Sequence, residues 1–590
     1  MVIAMRRSAL FFLFAAAPIA VTIDGGLLHQ HMTRAWRRAA VNTGHLPLPR
    51  AEPSHLTAVL TPALRHHAAS LAFNAPPPPP PAAAVSPRAA QSLAGTSHTA
   101  RVPHDPLAQL ARDDDGTLNL AQLDDDALNA LLQRDGDEEI GADPTAGPAA
   151  DADTKMVSVA KEAWVMAEPH WRSRKLGYLR AGAMVARAEE PVGQRGCKRG
   201  WYRVYPRGYM CHGRKASIDV DHPVAQLSAP RPNLDGLPYT YVTSRYPTPP
   251  LYARLPTLAQ QQRAEPSRSY HLRKHARLAQ RADYTAPPAA APTPKWLSDG
   301  EVLPGLGGVD RGPRRVTLGR ARVRSGFALL ANYEHLGRRF GLTTELALIP
   351  LDRTRVVRPS ALQGAVLSDE FDLPIAIVRS KHARRYRPHG QALALAGSFA
   401  WRSVLSLSGK RRSRGSDTFY ELRDGSWVHA DRVAYIGKFK QAPRWAKRGK
   451  KWIDVSLLRQ TLVAYQGERA VYATIVSTGA GGIGDPKKTH ATVQGTFLIH
   501  TKHLSVTMDG DEQGDQFDLR DVPYVQYFTA GYALHAAYWH DDFGTPRSHG
   551  CVNLAPLDAA WLFRWTDPQV PAGWHAALSL KHGTVVYVHP

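Results

Sequence analysis

The chain has 590 residues, enough for several domains, and 74 Lys and Arg against 51 Asp and Glu give it a formal net charge of +23. Such an excess favours anionic partners, whether nucleic acid, acidic lipid headgroups or an anionic wall. No zinc-finger spacing, helix-turn-helix or aromatic-basic recognition signature accompanies the charge, so no nucleic-acid partner is expected.

Residues 1–26 read as a signal peptide or membrane anchor. Arg6 and Arg7 supply a basic start, Ser8 to Ile23 carries no charge, and Asp24-Gly25-Gly26 ends the run. That length suits the core of an export signal and is marginal for a membrane span, so cleavage and retention in the inner membrane both stay open. Residues 27–155 read as a low-complexity, disordered tether. The proline run Pro76 to Pro81 favours extended polyproline II, and acidic clusters at Asp113–Asp115 and Asp124–Asp126 flank a short leucine-bearing stretch.

Residues 156–222 alternate short β-rich runs with turn residues, and this pattern resembles a bacterial SH3-like barrel. Trp201 and Tyr202 are expected in its core. Cys197 and Cys211 are close enough to pair across adjacent strands, and in an oxidising compartment a loop of about 15 residues closed this way stabilises by roughly 3 kcal/mol. A metal site built on Cys197, Cys211 and His212 lacks a fourth ligand and fits no zinc spacing, so no metal is expected. Residues 223–313, rich in Pro and Ala, read as a linker that wraps on its neighbours. Residues 314–440 regain strand character at Leu346 to Leu351, Ile375 to Arg379, Thr418 to Leu422 and Ser426 to Val428, with a hairpin turn at Asp424-Gly425. This second β module is expected to be SH3-like around Leu373 to Ile436, and Arg444 to Lys451 forms a basic connector.

In residues 450–590, Ile453 to Val463 and Val471 to Ser477 fit paired strands around a turn at Gln466-Gly467. Thr496 to His500, Ala533 to His535 and Thr584 to Val588 fit further strands. Asn553 to Trp565 reads as a helix because Leu554, Leu557, Trp561, Leu562 and Trp565 recur at helical spacing. Cys551 lies in the run Arg547-Ser548-His549-Gly550-Cys551-Val552-Asn553, far from the other two cysteines. An unpaired cysteine with His535 upstream reads as a nucleophile and its base, because the thiolate attacks and an imidazole takes its proton. Gly550 permits a tight turn whose amides point at a developing oxyanion.

These residues resemble the L,D-transpeptidase catalytic domain of the YkuD type, in which a His precedes a variable loop and then Ser-His-Gly-Cys. Val476-Ser477-Thr478-Gly479 and Thr492-Val493-Gln494-Gly495-Thr496-Phe497 match further segments of that family. Ala536, Val493 and Asn553 depart from the residues commonest there. The resemblance implies a mainly β, multidomain chain ending in a β-rich catalytic domain. It also implies peptidoglycan tetrapeptide stems as partners and 3→3 crosslinks made through a Cys551 acyl-enzyme, with no cofactor. His535 would be the acid/base, oriented by a backbone carbonyl, and Gly550 would supply an oxyanion amide. Ser548 would position the loop, His549 would support the site, and Arg547 and Asn553 would bind substrate, with positioning of the loop also open for Asn553. Asp541, Asp542 and His540 lie between base and nucleophile, where substrate gating and a solvated loop are both open and the solvated loop is the favoured expectation. Water as acceptor would make the protein an L,D-carboxypeptidase, and a protein amine would make it a lipoprotein-to-wall transferase. A non-catalytic wall-binding scaffold is the rival from another class. Periplasm or cell envelope is the implied location.

Overall fold

The computed structural model describes residues 154–227, 232–302, 316–439, 441–512, 515–529, 531–579 and 582–590. The expected export segment and the tether up to residue 153 lie outside the described residues. Among those described, strands predominate and no helix is long and apolar enough to cross a membrane.

The C-terminal segment begins as a three-stranded meander: β1 (Lys451–Ser456), β2 (Thr461–Gln466) and β3 (Arg469–Ile475). Its turn at Gln466-Gly467 joins β2 to β3. β4 (Gly495–Leu498) follows, and then a long hairpin of β5 (Thr501–Glu512) and β6 (Asp515–Thr529). β7 (Tyr532–Ala536) returns along β6 and pairs in parallel with β8 (Val552–Leu554). The helix α1 (Pro556–Trp565), β9 (Ala576–Leu578) and β10 (Val585–His589) complete the segment. Asn553 is therefore in a strand, and the helix starts at Pro556, whose fixed φ and missing N–H suit a first turn.

β10 lies parallel to β1, between it and β4, and forms one six-stranded sheet with the meander. β2 is buried along five of its six residues, as expected of a strand covered on both faces. Ile453, Leu462, Phe497, Leu534, Leu554, Leu562 and Val586 share a core beneath α1. In the first turn of α1, buried Asp558 accepts hydrogen bonds from Tyr472 Oη at 2.7 Å, Thr474 Oγ1 at 2.5 Å and Gly364 N at 2.7 Å. Burial nevertheless pushes its carboxyl up to about 6. At the other end of α1, buried Lys502 donates to the carbonyls of Phe563 and Thr566, where the partial negative charge of the helix lies.

The β5–β6 hairpin is where the upstream segments attach. β9 pairs with β5 on one side and with strand Lys175–Leu179 on the other. A Cβ on Gly177 would stand 2.1 Å from the Ala576 carbonyl oxygen, so only glycine allows this approach. Strand Gly326–His335 meets β6 at Gly326 and Leu519. Asp521 ties the joint together. Its carboxylate accepts from Arg180 Nη2 at 2.7 Å, from Ser505 Oγ at 3.1 Å and from the Thr344 hydroxyl, and its carbonyl accepts from Tyr241 Oη at 2.7 Å.

Between residues 155 and 217, short antiparallel strands surround Met156, Leu179, Val204 and Met210, and Trp574 of the C-terminal segment packs into the same cluster. Trp201 and Tyr202 are buried. Cys197 and Cys211 are joined in a disulfide, with Cα atoms 5.9 Å apart.

The segment expected as a linker is partly folded. Strands Thr240–Ser244 and Pro250–Tyr252 join the large sheet, and helices Leu258–Ala264 and Arg268–Ala279 follow. The cause is an ion cluster that composition hides. Arg338 is fully buried between Glu265 and Asp352, at 2.7 Å from each, and Arg353 Nη1 lies 2.9 Å from Glu265. A capping box of Thr257 and Gln260 starts the helix that delivers Glu265. Arg338→Ala would leave two buried carboxylates short of a partner and is expected to cost about 3–5 kcal/mol, read as a lower denaturant midpoint.

The second β module also divides. Strands Gly326–His335, Arg338–Thr343 and Leu348–Pro350 belong to the large sheet. Residues 375–436 form a separate seven-stranded sheet with its own core of Ala376, Val378, Leu405, Leu407, Leu422 and Val428. The turn at Asp424-Gly425 is present, with the Asp424 carboxylate accepting from the Ser426 amide at 2.9 Å.

Candidate active site

The parallel ladder between β7 and β8 brings His535 opposite Asn553 and Leu534 opposite Val552. Cys551 immediately precedes β8, two positions before the residue that faces His535. The sequence pattern accounts for the ladder. Ala533-Leu534 and Val552 are apolar and fully buried, and they fix two short strands in the middle of the domain. Cys551 is the one cysteine among the described residues outside the disulfide, and it is partly exposed. Its Sγ lies 3.6 Å from the Gly531 carbonyl oxygen, beside Val525 and Ala533.

His535 is 3% exposed, and its Nδ1 lies 3.2 Å from the carbonyl oxygen of Ala536. An Nδ1–H donated to that oxygen leaves Nε2 as the basic nitrogen. Burial pushes the ring down to about 4, so it is neutral at physiological pH.

The strand end Ser477–Gly479 clamps the cysteine turn. Ser477 exchanges both backbone hydrogen bonds with Asn553, and Thr478 O accepts the amides of Arg547 and Ser548. Thr492 Oγ1 completes the clamp. It donates to the Gly550 carbonyl at 2.7 Å and accepts the Gly479 amide at 2.8 Å. Beneath it, buried Gln460 bonds Thr478 through both ends of its amide. Thr492→Val would strand a buried donor and acceptor. It is expected to cost about 1–3 kcal/mol by thermal or denaturant unfolding and to slow turnover as the turn loosens.

Gly550 has a φ of +127°, and a Cβ there would meet the Tyr532 ring at 2.7 Å. Its amide is not free for an oxyanion, since it donates to Ser548 Oγ at 3.1 Å while that hydroxyl donates to the Cys551 carbonyl. Ser548 thus holds the turn through both lone pair and proton. Asn553, expected to bind substrate, is 2% exposed, and its Nδ2 lies 3.1 Å from His540 Nε2. That contact ties it to the intervening loop, the other role open to it. Arg547 is exposed and pairs with Asp542 at 2.5 Å. His549 is exposed against His490, with ring centroids 4.5 Å apart.

The solvated reading of the intervening loop holds for Asp541 and Asp542 but fails for His540, which is buried, with Nδ1 accepting the Asp542 amide at 3.3 Å. Burial drives this ring also to about 4. His540, Thr492 and Gln460 are the site residues that sequence reasoning left without a role. Thr492 opens a motif quoted above, but its hydroxyl's two partners lie far off in the chain. Among the described residues no group of three or more His, Cys, Asp or Glu is placed to hold a metal ion.

Residues 450–588 match the family of the L,D-transpeptidase catalytic domain, YkuD. The putative L,D-transpeptidase YciB of Bacillus subtilis (strain 168) is 27% identical over 143 residues, which cover 20% of this chain and 61% of that protein. The chain thus spans about three-fifths of that relative's length. Among solved structures, an L,D-transpeptidase from Xylanimonas cellulosilytica is 24% identical, covering 26% of this chain and 65% of its own, with a TM-score of 0.19. One from Stackebrandtia nassauensis is 25% identical, covering 26% and 58%, with a TM-score of 0.18. One from Mycobacterium smegmatis is 18% identical, covering 40% and 89%, with a TM-score of 0.19.

Proposed function

We propose that the protein is a cell-envelope L,D-transpeptidase that crosslinks peptidoglycan stems through a thioester on Cys551. The observation that carries this reading is the Ser-His-Gly-Cys turn clamped beside a strand bearing a buried, neutral histidine, within the segment that matches the catalytic family.

Cys551 Sγ gives its proton to His535 Nε2 and attacks the carbonyl carbon of the bond before the terminal D-Ala of a tetrapeptide stem. The tetrahedral intermediate collapses to a thioester as the D-Ala nitrogen takes the proton from His535 and leaves. The side-chain amine of a diaminopimelate on a second stem then attacks the thioester. His535 accepts its proton and returns it to the departing sulfur, and a 3→3 amide is released. Backbone amides of the turn receive the developing oxyanion, that of Gly550 being tied to Ser548 in the resting state. The SH3-like barrel at residues 156–222 is assigned to holding the enzyme at the wall.

The test is mass spectrometry of purified tetrapeptide stems after incubation with the full chain. Released D-Ala with a 3→3 dimer is the expected result. Free tripeptide alone would assign water as the acceptor, and unchanged stems would favour a wall-binding scaffold.

A further inference from the structure

Between Arg379 and Arg414 the sequence has ten Lys and Arg residues and neither Asp nor Glu. The seven-stranded sheet gathers this run onto two hairpins. Arg384–His389 pairs with Ala392–Ser398, and Val404–Arg414 pairs with Asp417–Leu422. Their ends touch where the Arg412 guanidinium donates to the Gln391 carbonyl. Arg384 and Arg414 are both exposed, and strand alternation puts them on the face that carries Tyr386 and Phe419.

Ala392–Ser398 is the edge strand of the sheet and is exposed at six of its seven positions. Leu395, in the middle, is 63% exposed. The register sets it opposite Tyr386 and sets Leu393 opposite Pro388, so these four share one face, and Tyr386 leans on Phe419 with centroids 5.4 Å apart. A solvated surface would account for the arginines. It does not account for an uncovered edge strand that presents leucine to water between them.

We propose that this face rests on an acidic phospholipid surface, the arginines on lipid phosphates and Leu395 at the boundary between headgroups and acyl chains. Cations ringing an exposed apolar tip are the arrangement such an interface selects. A soluble polyanion would satisfy the arginines and leave the leucine wet.

Hydrogen exchange of the full chain, read by mass spectrometry peptide by peptide, tests this locally and does not depend on how the rest of the chain meets a membrane. With vesicles holding about a third phosphatidylglycerol, exchange in residues 384–398 should slow several-fold, and added salt should weaken the effect. Pure phosphatidylcholine should leave it unchanged. Arg384→Glu combined with Arg414→Glu should weaken vesicle binding at this hairpin at least tenfold, since each basic residue near such a surface contributes appreciably. Leu395→Ser alone should also weaken it, with exchange elsewhere unchanged as the check on folding. Absent protection, equal protection by neutral vesicles, equal protection by soluble polyglutamate, or indifference to either variant would each overturn the proposal.

Discussion

A chain carrying Cys551→Ala is expected to gain no covalent mass on exposure to a carbapenem and to release no D-Ala from stems, while the parent chain does both. On the proposed function the sulfur is the attacking atom, and its replacement removes a long, exposed contact to the Gly531 carbonyl, so the fold should persist. His535→Ala should keep the thiol and lose the proton carrier, which slows acylation by about 10²–10⁴. The pH profile separates this role from a structural one. Because burial holds the imidazole near 4, it remains a base throughout mildly acidic solution, and the acid limb of kcat/KM should lie near pH 4, not near 6.5. An acid limb near 6.5 in brief assays would show that the working histidine is hydrated and that burial does not set its basicity.

Acid should unfold this protein early, and histidines are the reason. Burial pushes His503, His535 and His540 each to about 4 and His575 well below its ordinary value. Unfolded, each ring titrates near 6.5, so the unfolded chain takes up protons first as pH falls. The stabilisation is whole above about pH 6.5 and drains away towards pH 4, by roughly 3 kcal/mol for each ring held at about 4. Asp558 works in the opposite direction. Its folded value near 6 exceeds the unfolded one, so acidification relieves it and offsets about one ring. Without counting His575, whose share adds to it, the remainder is on the order of 6 kcal/mol, comparable with the whole stability of many domains. Denaturant midpoints measured from pH 7 to pH 4.5 should fall steadily, and His503→Asn should flatten the slope. A midpoint that stays level over that range would contradict the buried, uncharged rings.

What could be read from the sequence divides along a physical line. The meander, β7, β10 and the core of α1 were legible because buried strands and helices leave apolar runs of characteristic period, as in Thr461–Tyr465 and Ala559–Phe563. The β5–β6 hairpin was not, since Asp509-Gly510-Asp511-Glu512 reads as a loop and only pairing makes it a strand. The folded stretch around Glu265 was hidden for a related reason. Its order comes from charges that look solvated until Arg338 and Arg353 arrive from elsewhere in the chain. At the site, the nucleophile and base are visible as residue types at a spacing, whereas the engagement of the Gly550 amide and the burial of His540 and Asn553 depend on contacts across the loop. Local pattern points to the candidate reacting atoms, and tertiary contact decides which neighbours are occupied.

Asp521 has a consequence for anyone who would trim this enzyme. Its carboxylate sits inside the protein because Arg180 and Thr344, from two distant stretches of sequence, come to meet it. A fragment starting at residue 450 would keep Cys551 and His535 and lose both companions, leaving the carboxylate with Ser505 and no countercharge beside an open strand border. Such a truncation should be less soluble and less durable than its parent. The shortest self-sufficient version would reach back past the disulfide, so that the upstream segments serve as scaffolding for the C-terminal one.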